Sequence, residues 1–312
     1  MLYSQTFSGG YLSISIHFIS KQIISVCWDM IAYIIKTRDY TFTLMKKFSY
    51  LLIALFVSAI IVSCQKDDAI NPNDKNTVTL EFDNRVGDQK LVLGTTTAKN
   101  ALNEDFTVTR LNYFVSNISL KNENGEIVKF TDKYFLVKHS DPTSWLIKLD
   151  NVPAGNYNQV SYIIGVDSLK SVSDVSQRKG VLDPASYGDD NMYWSWNSGY
   201  IFFKMEGKST AIPPNMMNTT EYQYHVGGFG GMTGKTPNNL KTITLPMTTT
   251  AQVRANTAPQ IHIINDIQKV FSGVNQISIA KTYMVHAAEA GIPIGQNYAK
   301  SFIVDHVHNE KD

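Results

Sequence analysis

From Thr77 onward the chain is a succession of short runs in which apolar and polar residues alternate, broken every few positions by turn residues. Successive side chains of a strand point to opposite faces, so this period of two commits the segment to β-structure with one face buried. In Val78-Thr79-Leu80-Glu81-Phe82 the even positions are apolar and read as the inward face of a first strand. Thr107 to Leu120 gives one long or two bent strands, and Asn122-Glu123-Asn124-Gly125 supplies the polar turn from which Glu126 to Phe130 returns. Further strands are expected at Tyr134 to Lys138, Trp145 to Leu149, Gln159 to Val166, Trp194 to Glu206, Glu221 to Val226, Lys241 to Met247 and Gln260 to Ile264.

Helical spacing occurs only near the C-terminus. Ile263, Ile267, Val270 and Phe271 predict one short helix stopped by Gly273, and Thr282 to Ala290 a second. No βαβ alternation and no repeat is present, so the expected fold is all-β, a single antiparallel β-sandwich with one or two short C-terminal helices.

Of the 312 residues 43% are hydrophobic and 18% charged, and the net charge is +1, a balance that suits a folded domain. No basic field is offered to a polyanion, so a nucleic-acid partner is not expected.

A processing signal lies inside the chain. Met45-Lys46-Lys47 forms a basic start, Phe48 to Ile60 an apolar run, and Ile61-Val62-Ser63-Cys64 closes it in the pattern read by a lipoprotein signal peptidase. An uncleaved membrane anchor is the alternative, although the apolar run is short for a span of about 20 residues. The boundaries expected are therefore an upstream extension over 1–44, a signal peptide over 45–63, a tether over 64–76 and the β domain over 77–312. Cys64 becomes the lipidated N-terminus, placing the protein outside the cytoplasm as an outer-membrane lipoprotein that faces the periplasm or the cell surface. The tether, Gln65-Lys66-Asp67-Asp68 and the Asn/Pro/Asp run to Asn76, reads either as a surface-export tag or as a charged linker.

Cys27 lies upstream and Cys64 carries the lipid, so the mature domain has no disulfide and no thiolate ligand. Any metal site must then use imidazole, carboxylate, Met or backbone donors. The histidines of the domain are His139, His225, His262, His286, His306 and His308. His225 follows a Tyr222-Gln223-Tyr224 run and precedes Gly227-Gly228-Phe229-Gly230-Gly231, a context in which an imidazole can point into a cleft and ligate a soft metal, the alternative being a hydrogen-bonded loop histidine. His139 and His286 are possible companions. His306-Val307-His308 sets two imidazoles on one side of an extended segment, a spacing able to chelate copper or zinc unless the tail is merely solvated, and His262, between Ile261 and Ile263, is expected to face solvent. Asp167, Asp183 and Asp189-Asp190 offer hard oxygens, which makes calcium a possible second ion.

Met192-Tyr193-Trp194-Ser195-Trp196-Asn197-Ser198-Gly199-Tyr200 holds two of the chain's four tryptophans. If extended, it projects both indoles from one face, as core anchors or as a site. No nucleophile elbow or acid and base pair accompanies it, so an enzyme is not expected.

Four tracts in order, Arg110 to Leu120, Ile164-Gly165-Val166-Asp167, Met192 to Tyr200 and His225-Val226-Gly227-Gly228, resemble the MbnP-like family from Thr77 to about Val304. The resemblance implies an extracytoplasmic β-rich protein that binds copper through histidines, in some members with a tryptophan oxidised to kynurenine by a di-haem peroxidase partner. Trp194 and Trp196 are candidates for such a tryptophan, and so is Trp145. Where copper-binding members carry an Asn-His pair, this chain has Ser168-Leu169-Lys170-Ser171-Val172. A non-catalytic surface binding module or adhesin, whose aromatics stack on a glycan or a protein, is the alternative.

Overall fold

The computed structural model describes residues 69–196, 199–214 and 219–311, together with 28–30, 33 and 36. The last few are helical and exposed. The signal peptide, Cys64 and most of the upstream extension lie outside the described residues. Among those described, no helix is long and apolar enough to cross a membrane. The β domain falls in a compact unit, Ile70–Asp312, whose first strand starts two residues ahead of Thr77.

Two sheets form this unit. β1 (Lys75–Val86) is the hub of the first, flanked by β2 (Gln89–Lys90), by β6 (Leu146–Pro153) and by β11 (Gln260–Asp266), with β13 (Phe302–His308) outside β11. Val78, Leu80, Phe82 and Val86 are buried and the odd positions between them are not, as the alternation requires. The second sheet runs β10 (Lys241–Val253), β7 (Gly155–Ile164), β4 (Asp105–Asn122), β8 (Ile201–Lys208), β9 (Glu221–Gly227), β12 (Met284–Val285). β3 (Thr97–Lys99) and β5 (Ile127–Lys138) also pair with β4, whose length lets it change neighbours partway, at a bulge where Asn117 takes a positive φ of 48°.

The inner faces meet in a core rich in aromatics. Phe82 lies edge-on to Tyr113 and Tyr162, and Phe302 closes on the same pair. The domain is thus all-β and sandwich-like, but its sheets are mixed: β1 pairs with β11 in parallel, and β12 with β9 in parallel. Parallel partners need long connections, here more than 170 residues between β1 and β11, and a single strand's alternation carries no sign of its partner's direction.

The helices also differ from the expected ones. The segment read as helical from Ile263 is strand through Asp266, leaving only Lys269–Ser272 (α2), after a first short turn at Ser168–Ser171 (α1). The last helix, α3, runs Ala288–Tyr298, straight through Gly291 and Pro293. Gly291 belongs there because a β-carbon would come within 3.0 Å of Val226 Cγ1; it lets α3 lie directly on β9.

A second, smaller core sits on the outer face of the second sheet, where Phe114, Leu136, Val166, Leu182, Tyr187, Met192, Trp194, Tyr200, Phe202 and Phe229 pack together. It is formed by the connection from Gly165 to Tyr200, a chain of short turns opened by Asp167, Asp174 and Asp183, each capping the next backbone N–H groups with its carboxylate. That connection carries the tryptophans.

Candidate metal site beneath a tryptophan loop

The Trp tract is not a strand. Met192 to Ile201 folds back on itself: Trp194 N–H donates to Gly199 O at 2.7 Å, Ile201 N–H to Met192 O at 2.9 Å, and Tyr193 bridges Tyr200. Gly199, at φ 65°, permits the reversal. The expected projection of both indoles from one strand face therefore fails. Instead they stack on each other, centroids 5.2 Å apart, with Trp194 at 4% exposure inside the second core and Trp196 at 54% facing solvent. Gly227, two residues after His225, makes this seat possible, because a β-carbon there would lie 2.5 Å from Tyr200 O and 2.9 Å from Trp194 Cζ3.

Beside the indoles, the outward positions of β8 and β9 form a polar strip. Lys204 faces His225 across the ladder, and Glu206 faces Gln223. Because Met284 and Val285 pair with Gln223 and Tyr224, the next residue, His286, arrives next to His225. The imidazoles of His225 and His286 stack with centroids 4.5 Å apart. Both line a cavity of about 480 Å³ with Pro184, Asn191, Tyr193, Trp194, Ser195 and Trp196.

Each imidazole is held from behind. His225 Nε2 donates to Glu206 Oε1 at 2.7 Å, and His286 Nε2 to Gln223 Oε1 at 3.0 Å. This fixes the tautomer with the proton on Nε2 and leaves each Nδ1 lone pair for a ligand, the arrangement in which an outer acceptor orients a metal-binding histidine. Burial holds the His225 imidazole below its ordinary range, reinforced by Lys204 and Arg110 and opposed by Glu206. His286 is lowered too, first by desolvation and then by His225 beside it. Glu206 is lowered against its own burial by His225, Lys204 and Arg110. Near neutral pH the site is therefore two neutral imidazoles over an ionised carboxylate.

Arg110 grips Glu206 at 3.1 Å and Asp190 at 3.1 Å, and Lys138 reaches Asp190 at 3.4 Å. The buried Lys204 ammonium donates to Asp190 O and lies 3.6 Å from Glu206, its pKa lowered by desolvation. This network braces the histidine pair against the tryptophan loop.

His139 does not join them. It is 8% exposed, donates from Nε2 to Leu91 O at 3.0 Å, accepts at Nδ1 from Asn84 and stacks on Trp145 at 5.0 Å. Both its nitrogens are engaged, so it is a satisfied core histidine. Trp145 is equally fixed, its indole N–H on Lys138 O. The calcium candidates do not converge: Asp167 caps α1 and accepts from Tyr134 and Asn117, Asp183 caps Ala185, and Asp190 serves Arg110, Asn112 and Lys138. Among the described residues, a three-residue cluster of metal-competent groups is His262, Asp305 and His306. His262 is not solvent-facing as expected; it is 8% exposed beneath its neighbours. The residues that sequence reasoning missed at the histidine pair, Glu206 and Gln223, were legible only as outward positions on strands adjacent to His225.

Fold and site together define a β-sandwich that carries a stacked histidine pair walled by tryptophan on an outer sheet face. The sequence profile of the MbnP family matches residues 75–288, so the chain belongs to that family. Among solved structures, MbnP from Methylosinus trichosporium is similar, with 13% identity, a TM-score of 0.45, and coverage of 66% of this chain and 80% of that one. No curated protein matches.

Proposed function

We propose that this protein is an extracytoplasmic lipoprotein, anchored to the outer membrane through Cys64, that binds copper at His225 and His286 without catalysing a reaction. The observation that carries the reading is the stacked pair of neutral imidazoles, each with Nε2 restrained and Nδ1 available, in a cavity walled by Trp194 and Trp196. Imidazole suits copper, and the donor set contains no thiolate that would commit the site to another soft ion. Copper supplies a polarisable, redox-active centre when bound. The chain's part is to keep both imidazoles unprotonated, to hold them adjacent through Glu206 and Gln223, and to shield one side with indole.

Trp194 and Trp196 are the nearby candidates for oxidation to kynurenine, Trp196 being the one that a di-haem peroxidase partner can reach from solvent. Intact mass of native protein reports that change and the lipid on Cys64 together. The exposed Trp196 also supports a second reading, a module that stacks a glycan or protein partner on this indole.

Metal analysis of protein purified under native conditions tests the first reading. It predicts up to one copper per chain, abolished by His225→Ala together with His286→Ala; metal-free protein that takes up no added copper contradicts it.

A further inference from the structure

We infer that the outer face of the first sheet carries a second metal site, formed by His262, Asp305 and His306 with His308 beside them, for a borderline divalent ion of the zinc or copper(II) type. It is separate from the histidine pair and does not depend on the function proposed for that pair. The ladder between β11 and β13 matches Gln260 with His308, Ile261 with Val307 and His262 with His306, and then Ile263 with Val304. Asp305 is left over, so two residues of β13 oppose one of β11. Such a bulge turns consecutive side chains, which would otherwise diverge, toward the same partner. Asp305 and His306 consequently both reach His262, and His308, two residues on, falls beside His306.

The distances follow. Asp305 Oδ2 lies 3.3 Å from His262 Nδ1 and 2.8 Å from His306 Nδ1. His306 Nε2 is 2.8 Å from His308 Nε2. The His262 and His306 rings are 4.7 Å apart, and one donor atom each from His262, Asp305 and His306 falls within a 4.8 Å span. The two nitrogens of His306 thus face Asp305 on one side and His308 on the other.

His262 is the fixed member. It is 8% exposed, and its other nitrogen faces Asp83 at 3.7 Å, a carboxylate itself held by Arg85 at 2.7 Å. Asp305, His306 and His308 are each more than two-fifths exposed at the side chain, so an ion enters directly from solvent. His262, Asp305 and His306 supply two imidazoles and one carboxylate for tetrahedral zinc, the fourth position being left to water or to His308 after its ring turns from the far nitrogen of His306, and copper(II) favours the same donors.

The test uses chain carrying His225→Ala and His286→Ala, stripped of metal with a chelator, so that its outcome is independent of the other site. Zinc is titrated against a chromogenic chelator while Tm is followed. One zinc per chain is expected, with a Tm that rises with zinc because only the folded ladder assembles the ligands. Asp305→Asn and His306→Ala, both on exposed side chains, should each weaken zinc by about tenfold or more, and His262→Ala likewise. The site is refuted if zinc binding does not saturate, if Asp305→Asn and His306→Ala leave the affinity unchanged, or if His262→Ala is neutral in a folded chain. That last result would reduce the cluster to chelation by an exposed tail.

Discussion

The two histidine clusters lie on opposite sheets and reach similar ring separations by different physics. His225 and His286 sit on the second sheet, where a folded-back loop seals one side with Trp194; burial lowers both imidazoles, and acceptors on the neighbouring outward positions receive hydrogen bonds from their Nε2–H groups. His262 and His306 sit at the edge of the first sheet, gathered by a one-residue bulge around the carboxylate of Asp305, with His308 against the far nitrogen of His306. A covered pair without a facing carboxylate suits a soft, redox-active ion. An open cluster with one suits an exchangeable divalent ion. Position on a strand is therefore a poor guide to a histidine's chemistry; what covers it and what stands behind it decide.

The comparison breaks most severely if the cover is removed. Trp194→Ala deletes a buried indole from the second core and should cost about 3–5 kcal/mol of stability in denaturant unfolding, while leaving zinc binding at the first sheet intact. A cost below about 1 kcal/mol would mean that the loop is only laid on the sheet. Glu206→Gln keeps the shape but removes the charge behind His225 and beside the buried Lys204, so copper affinity should fall by about 10–100-fold and Tm should fall with it; unchanged affinity with a lowered Tm would show that Glu206 serves only the Arg110 and Lys204 network.

A smaller effect is expected from pH. His139, His225 and His286 are all lowered in the fold, so the unfolded chain binds protons that the folded one refuses. Stability should be fully present above the ordinary imidazole value of about 6.5 and should decline as pH falls through it toward the folded values. A profile between pH 7.5 and 5.5 that rises on acidification would contradict the desolvated state of these rings. The smallest effect is expected at Trp196→Ala, within about 0.5 kcal/mol for an exposed side chain, with loss, in chain beginning at Cys64 and so without Trp28, of the component of tryptophan emission most accessible to acrylamide.

Much of this was written locally. The inward positions of β1, the Asn122 to Gly125 turn and the His225 strand follow from alternation and turn chemistry, and the thiol-free composition already restricts metal donors to imidazole and oxygen. The parallel pairing of β1 with β11 was not legible, because the closure depends on a partner far along the chain. His286 was named as a companion of His225 only alongside His139, and the sequence could not choose between them for a related reason: β12, which brings His286 in, is two residues long and its sequence reads as helix. The Trp tract misled because its composition favours a strand, while Gly199 and the Met192 to Ile201 hydrogen bonds turn it into a loop. Gly291 and Pro293 look like a helix stop, yet in α3 the glycine is what allows contact with Val226. The bulge at Asp305 has no sequence signature at all, and without it His262 reads as an isolated outward residue.

The central claim is that His225 and His286 together hold copper. Its most direct test is X-ray absorption at the copper edge on chain carrying His306→Ala and His308→Ala, loaded with one equivalent of copper. The account predicts one bound copper with two imidazole ligands, lost when His225→Ala is added. Copper that stays bound with unchanged imidazole scattering after that substitution, or that never acquires imidazole ligands, would contradict it.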